Sequence, residues 1–211
     1  FEFSMKNILL LHGAIGSSEQ LKPLATLLQS HYNPLLINFS GHGGKKFQKD
    51  FNIPQFAEDV IQFLDENNIK SINVFGYSMG GYVALYLAKN YSNRIGKIIT
   101  LGTKFSWNPE IALKETKMLN ADKIADKIPA FAEILHKRHY PIDWKLVLSK
   151  TSQMMIEMGD NNPLKIKDYQ NIKQQVKIGL AVDDEMVSKD ETMEIFNALP
   201  NSEYYSLPNS K

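Results

Sequence analysis

Ser71-Ile72-Asn73-Val74-Phe75-Gly76-Tyr77-Ser78-Met79-Gly80-Gly81-Tyr82-Val83-Ala84-Leu85 changes character at Gly76. Before it stand β-branched and aromatic residues, the composition of a buried strand. After it, Tyr82 to Tyr91 carries Val83, Leu85, Leu87 and Ala88 as a helix. Between strand and helix lies Gly76-x-Ser78-x-Gly80, a G-x-S-x-G motif in the strand–turn–helix setting that gives the motif its meaning. So tight a turn puts Ser78 in a strained backbone conformation, and glycines two residues either side let strand and helix pass closely. The serine Oγ is then held clear of the sheet. The Met79 N–H falls at a helix N-terminus, where it can meet an oxyanion. The alternative reading is a structural glycine-rich turn, of the kind that can bind phosphate.

Working outward, Ile8–Leu11 is a short apolar run ending at His12-Gly13, and Leu35–Phe39 is a second, closed by Gly41-His42-Gly43-Gly44. Helices are predicted over Glu19–Ser30, which Ser17 or Ser18 could cap, and over Ile53–Asn67. Ile95–Leu101 reads as the fourth strand. Strand and helix alternating with short loops argue for an α/β fold with a doubly wound, mostly parallel sheet. The rhythm breaks at Lys104. Pro109–Leu119, Ala121–Ile128, Pro129–Arg138 and Trp144–Gly159 all read as helices, rich in aromatic residues and methionine. Most of these are expected in a core. Phe105, Trp107 and the Met-rich helices are expected to form an apolar pocket under a lid. Val176–Val182, a helix over Ser188–Leu199 and a last strand over Ser202–Leu207 restore the rhythm. The expectation is a single domain over 5–211, with a core of 5–103 and 164–211 and a helical lid over about 104–163. Met5 before Lys6 reads as the natural start, and residues 1–4 as remnants of an expression vector.

Bulk composition excludes much. The net charge is +1, with 24 Lys+Arg against 23 Asp+Glu, so nothing asks for nucleic acid or an acidic membrane. There is no cysteine, hence no disulfide, thiolate metal site or cysteine nucleophile. No apolar run approaches the ~20 residues of a membrane span, and the N-terminus lacks the pattern of a signal peptide. A cytoplasmic enzyme acting on a small molecule, with no metal and no cofactor, is the expectation. Oligomeric state is unreadable.

Four features in chain order resemble the α/β-hydrolase family, specifically its short bacterial lid-bearing members. They are His12-Gly13, Gly41-His42-Gly43, Gly76-Tyr77-Ser78-Met79-Gly80-Gly81 and Ala181-Val182-Asp183-Asp184-Glu185-Met186-Val187. The resemblance implies that Ser78 is a nucleophile and that Ala14 and Met79 donate backbone N–H groups to the oxyanion. Glycines 13, 76 and 80 shape the elbow and loop. His12 and His42 read as structural. The family pattern Gly-x-x-Asp-x-x-Val, with Ala181 in the glycine place, makes Asp184 the triad acid, with Asp183 as the competing register. The order Ser…Asp…His then requires a histidine after Asp184. The five histidines, His12, His31, His42, His136 and His139, all precede it, so the catalytic histidine is expected just beyond Lys211. A base supplied by His136 or His139 from the lid is the alternative. The resemblance implies acyl transfer from a small ester, thioester or amide. Carbon–carbon hydrolases, lyases, cofactor-free peroxidases and non-catalytic receptors share the constellation. Dehalogenases and epoxide hydrolases are disfavoured because they have Asp at the position of Ser78.

Overall fold

In the computed structural model, which describes residues 5–208, each strand of the sheet runs parallel to its neighbours. The elements are β1 (Lys6–Leu11), α1 (Lys22–Leu28), β2 (Tyr32–Leu36), α2 (Ile53–Glu66), β3 (Ile72–Tyr77), α3 (Met79–Asn90) and β4 (Ile95–Leu101). Four helices follow: α4 (Pro109–Thr116), α5 (Ala121–Lys127), α6 (Pro129–His139) and α7 (Trp144–Asp160). The short α8 (Ile166–Tyr169), β5 (Val176–Ala181), α9 (Lys189–Ala198) and β6 (Ser202–Leu207) complete the described residues. Strand order is β2-β1-β3-β4-β5-β6.

That order determines where the helices lie. From β1 the chain steps one way to β2, then returns past β1 and steps the other way through β3 to β6. Right-handed crossovers therefore put α1 on one face and α2, α3 and α9 on the other. The alternation along β1 agrees. Ile8 and Leu10 pack with Leu21 and Ala25 on the α1 side. Leu9 and Leu11 join Phe56, Val60, Val83 and Leu87 on the α2–α3 side. Both faces of β1 are apolar because both are covered. The reversal of strand order falls between β1 and β3, so the loops leaving their carboxyl ends flank a crevice, the usual ligand site of an open parallel sheet. His12–Gly16 and the Gly76–Gly81 turn are those loops.

Three expectations change. The second strand covers Tyr32–Leu36 instead of Leu35–Phe39. β2 is an edge strand, where the N–H that proline lacks costs little, so Pro34 can pair with Ile8. Phe39 is a fully buried loop residue stacked on Phe56. The third helix begins at Met79, directly after Ser78, three residues earlier than expected. Of the aromatic and methionine-rich set read as mostly core, Phe105, Trp144, Met154 and Met158 are buried, while Met118 and Tyr140 are 55% and 70% exposed. Among the described residues no helix is long and apolar enough to cross a membrane. The remnants expected at residues 1–4, and the histidine expected just beyond Lys211, lie outside the described residues.

Candidate active site

Ser78 has φ +50° and ψ −119°, a conformation that costs any L-residue of order 1–3 kcal/mol. The surroundings enforce it. The Ser78 N–H donates to the Leu101 carbonyl (2.8 Å), and its own carbonyl accepts from the Gly81 N–H (3.0 Å) and the Thr103 hydroxyl (3.0 Å). Met79 is the first residue of α3, so its N–H has no partner within the helix.

The loop after β1 passes across this turn. Gly13 makes the crossing possible: a Cβ there would lie 3.2 Å from both the Ser78 Cβ and the Tyr77 ring. A turn closed by the Gly16 N–H on the Gly13 carbonyl (3.1 Å) places Ile15 at φ +51° and leaves Ala14 facing the serine's cavity. His12 is the brace. Its Nε2 accepts from the Phe39 N–H (3.3 Å), so Nδ1 carries the proton and donates to the Gly13 carbonyl (2.8 Å). His139, at the end of α6, accepts from the Gly43 N–H on Nδ1 (3.2 Å) and donates from Nε2 to the Ile15 carbonyl (3.0 Å). Arg138 donates to the same carbonyl (2.9 Å). The helical segment thus grips the loop that carries Ala14.

His42 is wholly buried between His12 and His139, with ring centroids 5.1 and 6.0 Å away. Burial pushes His12 down to about 4, assisted by the neighbouring His139 and Arg138 charges and opposed by its bond to Gly13. Burial likewise lowers His139 to about 4, and His42 well below 6.5. All three are neutral in the native protein near pH 7. Because their folded values lie below the unfolded 6.5, the unfolded chain binds more protons between pH 6.5 and 4. Their contribution to stability is therefore complete above pH 6.5 and is lost as the pH falls towards 4. His12 alone is expected to cost on the order of 3 kcal/mol across that window. Urea unfolding at pH 7.5, 6 and 5 checks this; equal stability at all three would contradict it.

The acid loop leaves β5. Asp184 Oδ1 accepts from the N–H groups of Met186 (2.9 Å) and Val187 (2.8 Å), an arrangement that depends on the three-residue spacing to Val187. Its Oδ2 is turned towards Gly102 at the end of β4. Asp184 is half-buried, whereas Asp183 is exposed. Lys104 ties this loop down. Its Nζ donates to the Met186 carbonyl (2.9 Å) and lies 3.4 Å from Glu115 of α4 and 3.7 Å from Glu191 of α9. Glu191 in turn accepts from the N–H groups of Phe105, Ser106 and Ser188. Sequence reading missed this cluster. Only Glu191 left a trace, as the last residue of a Ser188-x-x-Glu191 capping box. A second missed residue, Asp59, accepts from the Ser40 N–H (2.6 Å) and hydroxyl (2.8 Å) and steadies the Gly41–Gly44 loop.

Ala14, Ser78, Met79 and Asp184 meet at one cavity of about 290 Å³. Its lining combines the charged Lys104, Glu115 and Asp183 to Glu185 with the apolar Ile53, Trp107 and the methionines 154, 155 and 158 of α7. Phe105, expected in the pocket, is instead buried against Tyr169, 6.1 Å between ring centroids, because Glu191 fixes its backbone. Among the described residues no histidine lines the cavity. His139 is engaged with backbone groups, and among the described residues no cluster of three or more His, Asp or Glu could hold a metal.

Residues 6–127, more than half of the chain, match the family model described as alpha/beta hydrolase fold. The chain belongs to the α/β-hydrolase family. Esterase YbfF of Escherichia coli (strain K12) is 32% identical over 94 residues, 44% of this chain. That alignment spans only 37% of the esterase, little more than a third of its length. Among solved structures, the enol-lactonase from Burkholderia xenovorans LB400 superposes with a TM-score of 0.78 at 18% identity, over 96% of this chain and 83% of that one. A thermophilic esterase from Thermogutta terrifontis gives 0.77 at 17% identity, over 98% and 82%. These two are likenesses of fold. In α/β-hydrolases generally, one architecture carries several reactions, so chemistry has to be argued from the site.

Proposed function

We propose that this α/β-hydrolase is a serine hydrolase that cleaves a small ester through a covalent acyl-enzyme on Ser78. The observation that carries the reading is the strained Ser78, with Ala14 and Met79, whose N–H groups this reading assigns to the oxyanion, lining the same cavity. Strain of this size persists where it serves a site. In the reaction, Ser78 Oγ attacks the ester carbonyl, and the two N–H groups stabilise the oxyanion that forms. The proton acceptor in this reading is the histidine expected just beyond Lys211. Asp184, its Oδ1 already held by two amides, presents Oδ2 to orient that imidazole and to stabilise it once charged. The alcohol leaves with the proton returned by the imidazole, and water attacking the acyl-enzyme releases the acid and restores Ser78. The helices α4–α7 act as a lid whose methionines and Trp107 supply the apolar wall. The esterase names among the relatives support an ester as substrate.

The direct test is labelling with a fluorophosphonate, which reports an activated serine whatever the natural substrate. The expected result is one stoichiometric adduct on Ser78, identified by peptide mass spectrometry. Absence of labelling, or labelling elsewhere, overturns the proposal.

A further inference from the structure

The helical segment holds Ile15 twice over. The Ile15 side chain packs against the buried cluster of Ile124, Leu135, Trp144 and Leu148, which joins α5, α6 and α7. Among the described residues, every other member of that cluster comes from residues 119–148. The Ile15 carbonyl accepts from Arg138 (2.9 Å) and from His139 Nε2 (3.0 Å), at the end of α6. Resting on the serine-hydrolase reading, we propose that Ile15 and Arg138 are positioning residues through which the helical segment holds the Ala14 N–H ready for the oxyanion.

Ile15 stands where a turn favours glycine. It is the third of four residues in the turn closed by the Gly16 N–H on the Gly13 carbonyl (3.1 Å), and its φ is +51°. Glycine and asparagine adopt positive φ there readily, whereas a β-branched residue does not. Released, Ile15 would return to negative φ and carry the Gly16 N–H away from the Gly13 carbonyl. The helical segment prevents this by holding both groups that φ turns, the side chain and the carbonyl. The effect reaches Ala14 through one peptide group. The Gly13 carbonyl and the Ala14 N–H belong to the same planar trans unit, so they point in opposite directions. That carbonyl has two donors, the Gly16 N–H and His12 Nδ1 (2.8 Å), and fixing its oxygen fixes the N–H. Among the described residues nothing accepts from the Ala14 N–H, and Ala14 lines the Ser78 cavity. Neither Ile15 nor Arg138 lines that cavity, so both act through Ala14. Without the clamp one of the two donors departs and His12 remains, so the Ala14 N–H is loosened and not lost outright.

The test compares Arg138→Leu and Ile15→Ala with the wild type in the full-length protein, using p-nitrophenyl acetate. Each variant is expected to lower kcat at least tenfold, short of the about 10²- to 10³-fold that removing an oxyanion donor costs. KM should stay within threefold, since the lost interaction belongs to the transition state. The inhibitor 1,1,1-trifluoro-2-butanone adds a readout that a merely structural role would not move. Its ketone carbon takes the Ser78 Oγ, and its oxygen becomes the oxyanion. Its Ki should rise at least tenfold, in step with the loss of kcat. Melting temperatures report folding, and if one variant does not fold the other decides. A smaller loss of kcat, a loss carried by KM, or an unchanged Ki overturns the proposal. If the wild type cleaves no ester and Ser78 takes no fluorophosphonate, the serine-hydrolase reading fails by itself. Hydrogen exchange at the Gly16 amide then judges the clamp alone. Exchange at least tenfold faster in Arg138→Leu than in the wild type sustains it; a smaller change overturns it.

Discussion

Ser78→Ala is expected to lower kcat/KM for p-nitrophenyl acetate by about 10⁵- to 10⁶-fold, the scale on which a nucleophile loss silences a triad. The variant isolates the chemistry because it leaves the backbone problem untouched. Alanine keeps the Cβ, so φ +50° stays as costly as before. The bonds that enforce it, from the Ser78 N–H to Leu101 and from Gly81 and Thr103 to the Ser78 carbonyl, are formed by main-chain groups of residue 78. The melting temperature should therefore match the wild type. Ser78→Gly serves as the companion. It removes the same Oγ but also the Cβ, and glycine tolerates positive φ. It should be equally inactive and no less stable than Ser78→Ala. Residual turnover above a few per cent in either protein would mean that another group attacks the substrate.

The contrast between what was readable and what was not follows the range of the interactions. The elbow was legible because sterics confine it to five consecutive residues, and β4 and β6 lie where the apolar runs put them. The family pattern Gly-x-x-Asp-x-x-Val singled out Asp184 over Asp183, and the Asp184–Val187 spacing it contains has a local physical counterpart, since Oδ1 accepts from the Val187 N–H. The Lys104 cluster had no such signature, because its partners Glu115 and Glu191 are 11 and 87 residues away and only the fold brings them together. The inward turn of Phe105 was hidden for the same reason. It lies in a loop, where no periodicity tells one side from another, and a carboxylate 86 residues on sets its backbone. Likewise nothing local to Arg138 and His139 shows that both reach the Ile15 carbonyl, more than 120 residues earlier. Methionines 154, 155 and 158 announced an apolar helix face, but that all three line the Ser78 cavity is set by the fold.

Gly80→Ala is expected to destabilise the protein by more than about 3 kcal/mol, the overpacking range and above. For a chain of this size that lowers Tm by on the order of 10 °C. The added Cβ would lie 2.3 Å from the Leu11 carbonyl oxygen and 2.8 Å from that of His12. These are backbone atoms at the end of a central strand, so neither can rotate away. Relief requires α3 to lift off β1, which would separate the Met79 N–H from the Ala14 loop as well as loosen the core. Gly76→Ala meets the same obstacle from the other side, with its Cβ 2.4 Å from the Gly80 carbonyl group. Gly81→Ala is the informative control. Its Cβ would meet the Thr103 hydroxyl, a side-chain atom that can turn aside at the loss of one hydrogen bond to the Ser78 carbonyl. That loss is worth about 1 kcal/mol. Thermal unfolding of the three variants should therefore rank Gly81→Ala well above the other two. A Gly80→Ala protein melting within 2–3 °C of wild type, about 1 kcal/mol at this size, would show that the close passage of α3 over β1 is not what the elbow's glycine provides.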